Sequence, residues 1–286
     1  MIITDLFFGG INVDGHNIIR VTGAEDISLS DTLCCGQSFR WRAVEVGFRG
    51  TAFGRTVTVC KEGGDLLIKG TSQEDFDSIW KSYFDLTTDY VAIRRDLSQK
   101  HPVLCEAAKF APGIHILRQE PFEALISFII SSNNNIKRIE GIVDRLCENF
   151  GEKLPEGSYA FPTPEKLAKL SEEDLAPLRA GFRNRYILDA ARKVYSGEID
   201  LELCRTLPFA DAKAKLMTIV GVGSKVADCV LLYGLHRTEA FPMDVWMKRA
   251  MSTLFPGVDP SEFGEYAGVA QQYIFHYARM HPELFE

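Results

Sequence analysis

Lys225 stands where a helix would favour an anion. In VGVGSKVADCV, residues 220–230, a glycine-rich turn abuts an apolar helical run, and Lys225 falls in the first turn of that run. The positive end of the helix dipole disfavours an ammonium there, as does desolvation beside Val222 and Val226. Both effects raise the population of neutral amine, which is the nucleophilic form. Nineteen residues on, AFPMDVWMKRAM sets Asp244 ahead of a second helical run. An N-cap role accounts for an aspartate at that place by itself. A carboxylate facing Lys225 would do more: an amine nucleophile with a fixed carboxylate suits displacement at a sugar carbon that turns cationic in the transition state.

The elements that must position these two residues narrow the chemistry. A P-loop needs a strand and then G-x-x-x-x-G-K-[ST], but Ser224 separates Gly223 from Lys225, and ADAKAKLM before the turn is rich in helix formers. A dinucleotide fingerprint needs a third glycine where Val226 stands. What remains is helix, tight hairpin, helix, with Leu216, Ile219, Val226, Val230 and Tyr233 as packing faces. Gly221 and Gly223 permit backbone conformations closed to other residues. The N–H groups freed at the second helix can then hold a backbone phosphate without reading sequence. A plain helical corner explains the glycines equally well.

The chain has 286 residues, 46% hydrophobic and 25% charged, a globular balance that allows one large domain or two smaller ones. It contains no run of eighteen apolar residues, which excludes a spanning helix. The start, MIITDLFFGG, lacks the basic and apolar regions of a secretory signal, so a cytoplasmic location is expected, nucleoid-associated in a bacterium. Seven scattered cysteines without a C-x-x-C pair read as reduced thiols and argue against a cysteine-held zinc or iron–sulfur site. A net charge of −7 opposes a polyanionic partner unless positive charge is gathered locally. LRAGFRNRYILDAARK at 178–193 gathers it: Arg179, Arg183, Arg185, Arg192 and Lys193 stand against Asp189 alone, with Gly181-Phe182 marking a loop before a helix.

The first 112 residues carry strand signals. RTVTVCKEGGDLLIKGT at 55–71 reads as a hairpin turning at 62–65; SFRWRAVEVGFRGTAFG reads as short strands broken by Gly47 and Gly50, and one covering helix is expected over about 73–99. From residue 113 the period becomes helical. PFEALISFIISSNNN buries positions 122, 125, 126, 129 and 130 and stops at Ser131-Ser132-Asn133-Asn134-Asn135. Thr163 caps a helix with Pro164 at its first position, and Ser171 with Asp174 forms a second cap. The fold class is α+β: an antiparallel sheet domain over 1–112 and an all-helical domain over 113–286.

GVGSKVADCV and AFPMDVWMKRAM together resemble the helix-hairpin-helix–Gly/Pro-Asp superfamily of DNA glycosylases, in its lysine-bearing, bifunctional branch. CGQSFRWR at 35–42, ILRQEPFEALISFIISSNNNIKRI at 116–139 and YAGVAQQYIF at 266–275 narrow the resemblance to the 8-oxoguanine DNA glycosylases, in order from about residue 28 to 280. The resemblance implies a TBP-like N-terminal sheet and a helix-hairpin-helix glycosylase domain acting as a monomer on duplex DNA that contains 8-oxoguanine. It needs neither metal nor redox cofactor. By the same resemblance Lys225 attacks the deoxyribose C1′ and leaves a Schiff base open to β-elimination, while Asp244 stabilises the sugar cation. The base, flipped from the stack, meets four groups. The Gly36 carbonyl accepts a bond from the N7–H that guanine lacks, Gln271 reads the pairing edge, and Phe275 and Cys229 form the walls. Asn133, Arg138 and Arg183 meet the orphaned cytosine, whose O2 and N3 suit arginine donors, and Phe182 is the wedge. Gly221 and Gly223 hold phosphate.

Without the resemblance, Gly36 reads as a strand bend, Gln271 as a solvated helix residue, and Phe275 and Cys229 as core. Lys225 and Cys229, one turn apart, could also rest as an ammonium–thiolate pair. The chain departs from the family where many members carry histidine, here Trp246, and where that histidine's acidic partner would stand, here Ala278. Three other functions fit parts of the pattern: a glycosylase of the same fold for another damaged purine, a non-catalytic damage-binding protein, and a Schiff-base lyase for small carbonyls. The last explains Lys225 and none of the DNA-facing residues.

Overall fold

Alternation of Val57 and Val59 with threonines makes β5 (Arg55–Glu62), which turns at Gly63-Gly64 and returns antiparallel as β6 (Asp65–Lys69). In the computed structural model, which describes residues 8–13 and 16–285, this hairpin is the centre of a six-stranded antiparallel sheet. The segment 1–7, part of the stretch read above for an export signal, lies outside the described residues. The other strands are β1 (Phe8–Val13), β2 (His16–Val21), β3 (Trp41–Ala43) and β4 (Phe48–Ala52), and the order is β1-β2-β6-β5-β4-β3. Gly50 does not break a strand, as its glycine suggested; it lies inside β4, directly opposite Trp41 of β3. A Cβ there would come within 2.2 Å of the Trp41 ring, so the glycine makes room for an indole. That indole donates to the Tyr83 hydroxyl at 2.7 Å and meets Trp80 edge-on.

The single helix expected over 73–99 is two elements serving two cores. Residues 73–83 run helically through a π-turn at Phe76–Trp80, and Phe76, Trp80, Tyr83 and Phe84 cover the buried face of the sheet. Truncating one such ring costs about 3–5 kcal/mol. The chain then breaks at Asp85, which adopts φ +49°. The following helices, Tyr90–Lys100 and Pro102–Phe110, put Tyr90, Ile93, Leu97 and Leu104 into the core of the helical half.

The helix Pro121–Ser131 is buried on nearly every side and forms the axis of that half. Around it stand Ile136–Phe150, a basic helix Arg183–Tyr195, the hairpin pair Phe209–Leu216 and Ser224–Cys229, Val245–Leu254 and Ala267–Met280. The caps read from sequence are present: Thr163 accepts from Lys166 N with Pro164 at the start, and Ser171 and Asp174 exchange reciprocal bonds. Among the described residues no helix is long and apolar enough to cross a membrane.

Candidate active site

The hairpin is built as its spacing suggests. Leu216, Ile219, Val226, Val230 and Tyr233 are buried and clamp the two helices together. Gly221 takes φ +85°, and a Cβ on it would meet the Tyr186 ring at 2.3 Å, so the turn is pressed against the basic helix. Gly223 faces open space. The lone acid of the basic run, Asp189, is a brace: its carboxylate accepts the Val220 N–H at 2.7 Å and pairs with Lys193 at 3.1 Å.

Lys225 opens the helix Ser224–Cys229, which passes directly into a π-turn at Val230–Gly234. Its half-buried amine donates to the Ser131 Oγ at 2.9 Å and lies 5.4 Å over the Phe128 ring. Both partners belong to the end of the central helix, so the ammonium is held by that helix and not by Asp244. The N-cap reading of Asp244 holds, because its carboxylate accepts from Met247 N at 2.7 Å. The charges of Lys225 and Asp244 both act on the buried Cys229, which places the three groups in one neighbourhood. Burial pushes the Cys229 thiol up to about 11 against the pull of the Lys225 ammonium, so the resting sulfur is a neutral thiol.

Gly36, from the sheet unit, meets Phe275 of the helix Ala267–Met280. Gly36 has φ +92°, and its missing Cβ would lie 3.8 Å from the Phe275 ring and 3.7 Å from the Arg279 guanidinium, which stacks 5.4 Å over Phe275. The turn around Gly36 is fixed by buried amides that sequence reasoning missed. Gln37 donates to the carbonyls of Thr32 and His115 and accepts from Leu117 N, while Gln119 donates to the Gln37 carbonyl at 2.6 Å. On the helical side, Gln272 donates to the Cys35 carbonyl at 3.3 Å and accepts from the Tyr233 hydroxyl. Gln271 is also buried, with the same hydroxyl 3.3 Å from its Oε1, which a solvated helix glutamine would not be. Sequence shows these glutamines but carries no signal that the three segments bearing them converge.

Of the residues carried over for the opposite strand, Phe182 is 54% exposed and Asn133 is exposed in the left-handed region at φ +49°. Arg138 is exposed, and its charge acts on Arg183. Arg183 itself is 3% exposed and packs under the Phe182 ring at 4.6 Å. It reaches not outward but into the loop after the central helix, where its donors engage the carbonyls of Ser132 and Asn133, and it also donates to Ala180 just before its own helix. Trp246 is half-exposed against Phe285, and Ala278 is buried.

Comparison with known proteins fits this geometry. Residues 19–125 match the family described as the 8-oxoguanine DNA glycosylase N-terminal domain, and residues 126–262 match the HhH-GPD superfamily of base excision DNA repair proteins. The N-glycosylase/DNA lyase OGG1 of Arabidopsis thaliana is 30% identical over 288 residues, which cover 90% of this chain and 78% of that protein. The N-glycosylase/DNA lyase of Saccharomyces cerevisiae is 40% identical over 179 residues, 54% of this chain and 48% of its own, so this chain spans about half the length of that relative. The Clostridium acetobutylicum 8-oxoguanine glycosylase/lyase, solved with double-stranded DNA containing cytosine opposite 8-oxoG, superposes with a TM-score of 0.90 at 38% identity, over 97% of this chain and 99% of that one. The chain belongs to the 8-oxoguanine DNA glycosylase family of the HhH-GPD superfamily.

Proposed function

We propose that this protein is a bifunctional DNA glycosylase and AP lyase that removes 8-oxoguanine from duplex DNA, with cytosine preferred opposite the lesion. The observation that carries the reading is the Lys225 amine, half-buried beside Cys229, whose thiol also feels the Asp244 charge, and set directly behind a hairpin of exposed glycines. The hairpin N–H groups hold a phosphate while the target nucleotide leaves the stack. Its base enters between Phe275 and Cys229. There the Gly36 carbonyl accepts the N7–H of 8-oxoguanine, whereas guanine would present a lone pair to the same oxygen; Gln271 offers donor and acceptor to the pairing edge. Phe182 fills the gap in the stack, and Asn133, Arg138 and Arg183 attend the cytosine left behind. The protein works as a monomer on DNA in the cytoplasm.

Neutral Lys225 attacks C1′ as the bond from C1′ to N9 breaks, and the base departs with the bonding electrons and takes up a proton. The Asp244 carboxylate stabilises the positive charge that develops on the sugar. Opening of the sugar ring gives a Schiff base between Lys225 and C1′. Loss of a C2′ proton then expels the 3′-phosphate. Borohydride reduction of a duplex carrying 8-oxoguanine opposite cytosine is the test: a covalent adduct is expected with the wild type and none with Lys225→Gln. Binding without any adduct would leave a damage-binding protein. An adduct formed only with another damaged purine would move the substrate.

A further inference from the structure

Lys225 and Arg183 grip neighbouring residues where the central helix ends and its loop begins. The lysine ammonium donates to the Ser131 Oγ, and that hydroxyl donates in turn to the Phe128 carbonyl at 2.8 Å. One peptide further on, Arg183 Nε donates to the Ser132 carbonyl at 3.2 Å, one terminal nitrogen donates to Ser132 and to Asn133 at 3.0 Å, and the other donates to Ala180 at 3.2 Å. A guanidinium carries five N–H groups. Four are spent inside the protein, so a single one is free for an incoming base. Cytosine offers two acceptors on its pairing edge. Arg183 keeps one donor for that edge beside whatever Arg138 supplies, so any second contact it makes there takes a donor from a carbonyl, and three of its four internal bonds lie on Ser132 and Asn133.

We propose that Ser131 is a positioning residue through which the base opposite the lesion controls the Lys225 nucleophile. While Arg183 braces Ser132 and Asn133, the loop keeps the Ser131 hydroxyl against the Lys225 ammonium, and the amine is parked over Phe128. A cytosine that draws Arg183 away loosens that brace, Ser131 moves with its neighbour, and the amine is released toward the sugar. A base that presents a donor at the same place leaves Arg183 on the loop and the amine held. Both ends of the coupling are hydrogen bonds of this structure, joined by one peptide link, so the differential contact that a coupling free energy requires has a named location.

The inference rests on the glycosylase reading, and one set of measurements separates the two. Single-turnover excision of 8-oxoguanine is followed at saturating enzyme with each of the four opposing bases, for wild type, Ser131→Ala, Ser131→Thr and Arg183→Ala. Ser131→Ala is expected to raise the rates opposite the other bases relative to cytosine. The discrimination should shrink by about tenfold, the scale of one charge-assisted hydrogen bond, with dissociation constants unchanged. Ser131→Thr, which keeps the hydroxyl, should restore discrimination, and Arg183→Ala should make the serine substitution silent. A change by one common factor opposite all four bases, or a change confined to affinity, overturns the coupling while leaving the enzyme assignment intact. A wild type that excises 8-oxoguanine without regard to the opposing base overturns it as well. A wild type that excises nothing removes both.

Discussion

At the scale of single residues, the site depends on amides that never touch the sugar. Gln272 is 1% exposed and joins the Tyr233 hydroxyl to the Cys35 carbonyl, one residue before the Gly36 carbonyl assigned to read N7. A leucine at 272 fills similar space but takes the donor from the buried Cys35 carbonyl, at about 1–3 kcal/mol, and leaves the Tyr233 hydroxyl only its longer bond to Gln271. The Gly36 turn then loses its tether on the helical side, and the aim of its carbonyl with it. Gln272→Leu is therefore expected to slow 8-oxoguanine excision by roughly 10- to 100-fold. Trapping on a duplex with a preformed abasic site, which presents no base to read, should stay near wild type. Equal losses on the two substrates would mean that Gln272 only supports the fold. Gln37, Gln119 and Gln272 stand in the sequence in plain view, but no spacing rule links residues more than two hundred positions apart. Lys225 was legible because its own helix makes it anomalous; the amides become meaningful only once three segments converge.

Among elements, the join between the two cores is the least legible part of the chain. Helical periodicity runs through 73–99 without a glycine or proline to stop it, yet the structure turns at Asp85. Tertiary bonding decides this: the Asp85 carboxylate takes bonds from Thr88, Tyr90 and Arg118 and lies 3.4 Å from His236, tying the end of the sheet unit to the helical half. Where pattern and capping agree, as at Thr163-Pro164, at Asp244 and at the stop after Ser131, sequence and structure coincide. Gly50 misled because only the fold shows the Trp41 ring above it. Burial works against ionisation of Asp85, but the His236 bond and charge, the Arg118 guanidinium and the Tyr90 hydroxyl outweigh it and hold the carboxyl well below the usual carboxylate range. A depressed folded-state value stabilises above the unfolded-state value of 3.8, and that stability is lost as pH falls through the folded value. Asparagine tolerates the left-handed backbone, so Asp85→Asn removes the charge without adding strain. It should lower unfolding free energy by about 3 kcal/mol near neutral pH, with the deficit narrowing below pH 3.8 in urea titrations. A deficit that stays constant down to pH 2 would deny the ionic role.

For the molecule as a whole, binding a polyanion with a net charge of −7 requires that few cations do much. The basic run looks like five positive charges, but the structure spends most of them internally. Arg183 is on loop carbonyls, Arg192 on those of Ala168 and Leu170, and Lys193 on Asp189 and the Thr218 carbonyl. Arg179 and Arg185 remain exposed, and Lys137 joins them from the neighbouring helix. With about three phosphates neutralised, the logarithm of the binding constant should fall with the logarithm of salt at a slope of about −2.7. Between 50 and 200 mM salt that is a loss of roughly 40-fold, far less than a broadly basic DNA-binding surface would show. A duplex carrying the lesion should give the same slope at higher affinity, because contacts to the flipped base release no counterions. Arg185→Ala should flatten both lines by about 0.9, whereas Arg192→Ala, whose guanidinium is already engaged on carbonyls, should leave them parallel to wild type. Fluorescence anisotropy across that salt range measures all of these. A slope steeper than about −5 would require cations beyond the three named here, and equal effects of Arg185→Ala and Arg192→Ala would mean that the internal bonds of Arg192 open on DNA.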